Sequence, residues 1–469
     1  MRKFILTFVC LSLCPAAFAQ WPQFRGPAGR GIPTVEKPLP TEIGPDKNVL
    51  WKVAVPAGHA SPVIAGDKIF LAAVREEKLL TIALERATGK VLWEKEAAHE
   101  KLEKVHRIGS HAQSTSATDG ERVVSFFGSS GLWCYKTTGE FMWSHRMGPF
   151  NNDFGAGSSP IIVGNKVILG QDHDTNSFLT AFDKETGREL WRVDRGEFPR
   201  SYSTPCVWEV NGKTQLVVCG AIRVIGYDVE TGKPVWTARG ISRMACATPS
   251  IGDDGLLYVS GWSAGGDPGE RVALEPFDKF MAAADKNGNA TLEADETPDG
   301  PLKTRFSQCD RDKSGSITRL EYEEYRGLFE QSQNVILCIR PGGSGDISET
   351  HIVWRQPKQV PFCASPLIYQ GKMYTVKDGG IFAALDLASG RPLKATRLTA
   401  TDDYYASPVA GDGKIFLFNE EGKASVISAG EAWQVLSTAE FNEPVYATPA
   451  IVEGRIYLRT TGQLYCLGK

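Results

Sequence analysis

Asp310, Asp312 and Ser314 stand at alternate positions, Gly315 follows, and Ser316, Thr318 and Glu321 complete a span of twelve residues. Ca²⁺ takes about six to eight hard oxygens, and this spacing supplies them. Asp310, Asp312 and Ser314 offer side-chain oxygens, and Ser316 offers its carbonyl. Thr318 acts directly or through water, and Glu321 closes the site with both carboxylate oxygens. Gly315 permits the sharp turn. A related span lies 25 residues upstream, with Asp285, Asn287, Asn289, Thr291, Glu293 and Glu296 at the ligand positions. There Ala290 stands where glycine is wanted, which costs about 1–2 kcal/mol in the left-handed conformation. Asn287 and Asn289 also lower the charge, so this loop is expected to bind more weakly.

A calcium loop needs helices to hold its ends. Leu302 and Phe306 before the second loop, and Tyr322, Tyr325 and Phe329 after it, provide apolar helix faces. Pro298 cuts short the helix leaving the first loop. The two loops resemble an EF-hand pair, with Ile317 at the position where paired loops share a short β contact. The acidic, helix-prone stretch that carries them, residues 265–331, interrupts a chain that otherwise reads as strands and turns.

The rest of the chain repeats. A short strand, a polar residue, Thr-Gly and a tryptophan four residues later end at Trp93, Trp143, Trp191 and Trp236, and a worn copy has Lys394 in the tryptophan slot. A second mark, Ser or Thr before Pro, recurs at Pro62, Pro160, Pro205, Pro249, Pro366, Pro408 and Pro449, with Ala117 taking the slot once. Successive spacings are 55, 43, 45, 44, 117, 42 and 41. The long gap holds the insertion. About four short strands per period make one propeller blade, and radial packing leaves only short, protected edges. Eight marks predict an all-β, eight-bladed β-propeller with a small α-helical insertion. The last blade, from Ala447 to Leu467, has room for three strands. Asn48–Val55, with Trp51, is expected to supply the fourth, closing the ring with N- and C-terminal strands. The tryptophans are expected to lie flat between neighbouring blades as packing groups.

Composition narrows the function. The chain has 469 residues, 42 % of them apolar and 23 % charged, which suits a large core and excludes a disordered chain. A net charge of −3 leaves no electrostatic footprint for nucleic acid. Arg2 and Lys3, the apolar run Phe4–Leu13 and Ala17-Phe18-Ala19 read as a cleaved export signal over residues 1–19, with no transmembrane segment after it. The expected organisation is therefore a signal over 1–19, a propeller over 20–264 and 332–469, and the EF-hand pair over 265–331, exported to the periplasm or beyond.

Eight cysteines remain beyond the signal, with no C-x-x-C and no adjacent pair. Cys206 and Cys219 flank an Asn211-Gly212 hairpin that pairs residue 206 with 217, out of register for a bridge. The Gly-rich run 340–346 lacks G-K-[ST] and reads as a turn between strands. Polar candidates for the central channel are His59, His111, Asp172, His173, Asp174, Arg200, Tyr202, Arg243, His351, Lys377 and Asp378, a set suited to an anionic or sugar-like ligand or a metal.

The repeat A-x-D-x-x-T-G-x-x-x-W resembles the tryptophan-docking motif of pyrroloquinoline quinone (PQQ) dehydrogenases and their secreted PQQ-like relatives. The run W-P-Q-F-R-G-P at Trp21–Pro27 is similar to the opening of many such secreted bacterial propellers. The resemblance implies a fold, and for the dehydrogenases it implies PQQ in the channel with Ca²⁺, an acidic base and often a disulfide of adjacent cysteines. This chain has neither such a cysteine pair nor a C-x-x-C-H haem site. A similar repeat in the lipoprotein of the outer-membrane β-barrel assembly machinery implies partner binding instead. The expectation is a calcium-binding scaffold that presents a propeller face to a protein, glycan or small molecule. The alternative is a PQQ-dependent dehydrogenase of alcohols or sugars.

Overall fold

The computed structural model describes residues 21–469 apart from 151, 153, 268 and 271. The export signal expected over 1–19 lies outside the described residues. Eight antiparallel sheets form the blades of a propeller. Blade 1 shows the logic. Its inner strand Val63–Ala65 is wholly buried, Lys68–Arg75 and Lys78–Glu85 are buried along their middles, and the outer strand Val91–Ala97 alternates at its surface. Inner strands are packed on both faces, so they read as short apolar runs. Blade 8 comprises Ala450–Val452, Arg455–Arg459 and Gln463–Leu467, and Val49–Ala54 pairs antiparallel with the last of these, Lys52 opposite Tyr465. The hairpin at Asn211-Gly212 pairs Cys206 with Val217, as its turn chemistry requires.

The Ser/Thr-Pro mark has a physical role. At seven of the eight marks the residue before the proline slot donates its backbone N–H to the hydroxyl of its counterpart one blade on, Thr204 being the exception. Ser61 donates to Thr115, Thr115 to Ser159 and Ser159 to Thr204, at 3.0, 2.9 and 3.0 Å. The series resumes with Thr248 to Ser365, Ser365 to Ser407, Ser407 to Thr448 and Thr448 back to Ser61, at 2.9, 3.0, 2.9 and 3.0 Å. A girdle of hydroxyls therefore ties the inner strands around the channel. It also corrects the phase of blade 2. The hydroxyl is Thr115, so Ser116 and not Ala117 holds the proline slot.

The tryptophans dock as expected at most junctions. Trp93 donates to the Thr137 carbonyl, Trp143 to Lys184 and Trp191 to Val229, each in the turn of the next blade, at 3.1, 2.9 and 3.2 Å. Glycine is needed in those turns: a Cβ on Gly187, where φ is +70°, would lie 2.6 Å from the Trp143 ring. Trp236 departs from the pattern. Its indole donates to Gln215 of its own blade and packs edge-on against Trp208 at 6.0 Å. The reason is the neighbour: blade 5 has no Thr-Gly turn, and the Gly-rich stretch instead lays Gly345–Asp346 parallel to Pro234–Arg239. Lys394 inverts the scheme, its ammonium 4.3 Å above the Trp433 ring.

Trp21–Pro27 is a plug at one end of the channel. Trp21 is fully buried and pairs with Ile64 of blade 1, while the Pro22 carbonyl accepts from Thr118 of blade 2. Arg25, also fully buried, donates to Ser250 Oγ at 3.0 Å and the Pro366 carbonyl at 2.7 Å, reaching blades 5 and 6. Burial lowers its pKa to about 9, which still leaves it charged at neutral pH.

The insertion lies between the second and third strands of blade 5, Leu257–Gly261 and Val335–Ile339. Helices α1 (Phe277–Ala284), α2 (Phe306–Cys309) and α3 (Arg319–Gln331) enclose their own core of Phe277, Leu292, Ile317, Tyr322 and Phe329. It does not simply project from the disc. Arg311 donates to the Asp174 carbonyl at 3.1 Å and to that of Gly196, and Lys313 pairs with Asp174 at 3.5 Å. The insertion thus folds back across the face onto blade 3.

Candidate functional site

The second acidic loop gathers three carboxylates into a group that could hold a metal ion. Ligand oxygens of Asp310, Asp312 and Glu321 all lie within 4.8 Å of one another. Asp310 is pinned by the N–H groups of Ser314 and Gly315, both at 3.1 Å, and Ser314 Oγ donates to the Ser316 carbonyl at 3.0 Å. Glu321 begins α3 in a reciprocal cap with Thr318, whose N–H and hydroxyl reach its carboxylate at 2.9 and 2.8 Å. Leu292 faces Ile317 in the short β contact that couples the loops.

The first loop is arranged differently. Ala290 adopts φ +62°, the left-handed turn its position demands. The amides of Asn287 and Asn289 donate to Glu293 at 3.2 and 2.8 Å, so a carboxylate of this chain satisfies them. Thr291 Oγ joins the same carboxylate at 3.0 Å, and Glu296 is held by the N–H groups of Lys286 and Asn287 at 3.0 and 3.1 Å. Asp285 caps Gly288 and Ala290 at 2.7 and 3.1 Å.

The channel holds a cavity of about 200 Å³. Its wall is a ring set two residues before the hydroxyl girdle: His59, Gln113, Gly157, Tyr202, Cys246, Cys363, Tyr405 and Tyr446, with Phe24 of the plug also lining it. His59 stacks on Tyr446 at 4.0 Å, and burial together with Arg459 lowers its pKa to about 4, so it is neutral at pH 7. Cys246 and Cys363 come from neighbouring blades. The adjacent Cys246 thiol, with burial, pushes the Cys363 pKa well up. Sequence spacing hid this pair because the insertion separates its members. Gln113, Tyr405 and Tyr446 were also missed, although the fixed offset from Ser/Thr-Pro marks them.

Of the polar candidates, His59 and Tyr202 line the cavity and Arg243 and Arg200 line the space above it. Asp172 and Asp174 are spent in ion pairs with Arg195, at 2.8 Å, and Arg200. His173 is buried against Phe150 at 4.3 Å, and His111 contacts the Glu103 carbonyl at 2.7 Å. His351 does not face the channel. It sits in the connection to the outer strand Ile352–Gln356 and contacts Thr350 Oγ at 2.8 Å.

Asp378, beside Lys377, accepts the Tyr404 N–H at 3.1 Å. Burial raises its pKa to about 6, Asp403 and Glu420 adding to the rise while Tyr404 N–H and Lys377 oppose it. The native state therefore carries an electrostatic cost above pH 6 that disappears as pH falls toward the ordinary value of 3.8. Asp378→Asn is expected to stabilise the fold by up to about 2 kcal/mol at pH 8, allowing for partial exposure, and by nothing near pH 4. Thermal melts of both proteins across that range check it; an equal gain at both pH values would assign the effect to packing.

Among the described residues no helix is long and apolar enough to cross a membrane. A family model described as "Outer membrane protein assembly factor BamB" matches residues 42–145 and 82–265, just under half of the chain. No curated protein matches. Among solved structures, BamB from Moraxella catarrhalis is similar at 13 % identity and TM-score 0.55, covering 88 % of this chain and 95 % of that one. A europium-containing methanol dehydrogenase is similar at 9 % identity and TM-score 0.52, covering 96 % and 98 %. Quinohemoprotein alcohol dehydrogenase from Comamonas testosteroni is similar at 12 % and 0.53, covering 96 % and 81 %. At such identities the likeness concerns the propeller fold, which serves assembly factors and dehydrogenases alike.

Proposed function

We propose that this chain is an exported, calcium-binding propeller that receives a ligand or protein partner on the face bearing the insertion and performs no chemistry on it. One observation carries this reading: among the described residues the channel ring contains no carboxylate, whereas Asp172 and Asp174 of blade 3 are paired with Arg195 and Arg200. The acidic oxygens suited to Ca²⁺ belong instead to the insertion, where Asp310, Asp312, Ser314, Ser316, Thr318 and Glu321 would hold the ion as a structural clamp. Extracellular calcium is millimolar, so even modest affinity would keep the site filled. The plug supports use of the opposite, insertion-bearing face, because Phe24 lines the cavity from the other end.

A PQQ-dependent dehydrogenase is the second reading, and Asp378 favours it. Its elevated pKa suits a general base, and it lies near Cys363 of the ring. The two readings separate in a titration of PQQ into the Ca²⁺-loaded protein, followed by tryptophan fluorescence. Absence of binding at micromolar PQQ is the expected outcome. Saturable, calcium-dependent quenching near one equivalent, weakened in Asp378→Asn, would establish the dehydrogenase.

A further inference from the structure

Next to the channel cavity, and sharing Phe154, Met244 and Phe362 with it, a second cavity of about 490 Å³ lies between the insertion and the propeller face. Its walls carry four acidic side chains, and each already has a cationic partner. Asp174 pairs with Arg200, Glu197 with Arg223, Glu323 with Arg326 and Glu324 with Arg311. Two wall guanidiniums are left over. Arg305 donates only to the Pro301 carbonyl and Thr304 Oγ, both at 3.2 Å, and forms no ion pair among the described residues. Arg243 is half-buried, its backbone N–H anchored on Ser332 Oγ at 3.0 Å, and its Nε has no acceptor.

Both guanidiniums are drawn to one ring. Arg243 lies 4.5 Å and Arg305 5.9 Å from the centroid of Phe329 on α3. A ring face attracts cations but satisfies none of their N–H groups. Burial lowers the Arg243 pKa, and the like charges of Arg305 and Arg200 add to the shift. Two cations that repel one another in one cavity, with no unpaired carboxylate among the described residues of its wall, are stabilised by an anion between them. Beside them Trp262 and Phe362 meet edge-to-face at 5.0 Å, and Tyr325 adds a third aromatic surface.

We propose that Arg243 and Arg305 form an anion seat, and that the cavity takes a small organic acid whose carboxylate rests on the two guanidiniums while a flat apolar body lies against Trp262 and Phe362. The inference rests on the insertion-bearing face being the binding face, and it names the ligand class for that face. Arg305 and Phe329 come from the insertion, so the seat exists only while the insertion is docked on the propeller.

The test uses the full chain with Ca²⁺ and two probes of one shape, 2-naphthoate and its neutral analogue 2-naphthylmethanol, with Trp262 fluorescence and calorimetry as readouts. The acid is expected to bind at one saturable site, about tenfold or more tighter than the alcohol. Arg243→Gln is expected to remove that preference, and Arg243→Lys to keep part of it. Equal binding of acid and alcohol, unchanged binding by Arg243→Gln, or no saturable binding of the acid would each overturn the seat. Calcium affinity of Arg243→Gln, measured in parallel, verifies that the insertion is intact. PQQ binding in the separate titration would overturn the non-catalytic reading and leave the anion seat to be judged on these outcomes alone.

Discussion

Glu321→Gln is expected to weaken Ca²⁺ binding by the full chain about 100-fold or more, because the twelfth position supplies both oxygens of the ligand that closes the loop. Gln keeps the shape and can still meet the Thr318 groups, so the helix cap survives while the charge is lost. In the native loop Asp310, Asp312 and Glu321 bring their oxygens within 4.8 Å of one another, a repulsion that a bound cation would relieve. At a Ca²⁺ concentration a hundred times the dissociation constant, binding stabilises the folded protein by about 2.7 kcal/mol. That increment should vanish in Glu321→Gln and in wild type treated with EDTA. Glu296→Gln in the first loop should have a smaller effect, since Asn287 and Asn289 already turn to Glu293. Calorimetric titration and calcium-dependent melting measure both. Affinity unchanged by Glu321→Gln would remove the second loop from the account.

Asp172→Ala is expected to be the most destabilising of the substitutions considered, at about 3–5 kcal/mol, because it strands a buried charge. Arg195 is 1 % exposed, forks onto both Asp172 oxygens at 2.8 Å and reaches the Tyr227 hydroxyl. Burial alone would lower its pKa, but Asp172 and Tyr227 outweigh burial and raise it. Removing the carboxylate leaves that guanidinium with a phenol and the face of Phe198 at 4.4 Å. A second change, Arg195→Met with Asp172→Leu, should recover much of the loss, since an apolar pair needs no compensation. The effect should spread to the second acidic loop. Asp172 braces the turn that presents Asp174, and Asp174 receives both Arg311 and Lys313. Denaturant melts of the single and double variants decide it; a loss below about 1 kcal/mol would mean that water reaches Arg195.

The propeller was legible because its determinants are local and periodic. A hydroxyl before proline marks most inner strands, and Thr-Gly followed by tryptophan marks the outer turns of four blades. The grouping of Asp310, Asp312 and Glu321 was legible for the same reason: the three carboxylates fall within one short span. Periodicity misled where one blade differed from its neighbours. Trp236 turned inward because blade 5 offers no turn to receive it, and His351 kept the register of a repeat while sitting on an outer connection. What stayed hidden depends on the ring itself. Cys246 and Cys363 meet because their blades are adjacent, and Arg243 has no ion pair among the described residues because folding assigns each acidic side chain described in the cavity wall to another cation. Neither fact has a spacing.

The plug at Trp21–Pro27 also dictates an order of events. Arg25 is held by Pro366, 341 positions later, and Val49–Ala54 waits for Gln463–Leu467. A chain synthesised from its N-terminus delivers these residues first and can seat them only near the end, when the far blades exist. Until then Trp21 and the free edge of Val49–Ala54 stay exposed, a condition that invites association with other chains. Contacts of such long range make for slow folding. The repeat architecture allows neighbouring blades to form one after another, whereas sealing the channel is a single, late step that requires the whole polypeptide.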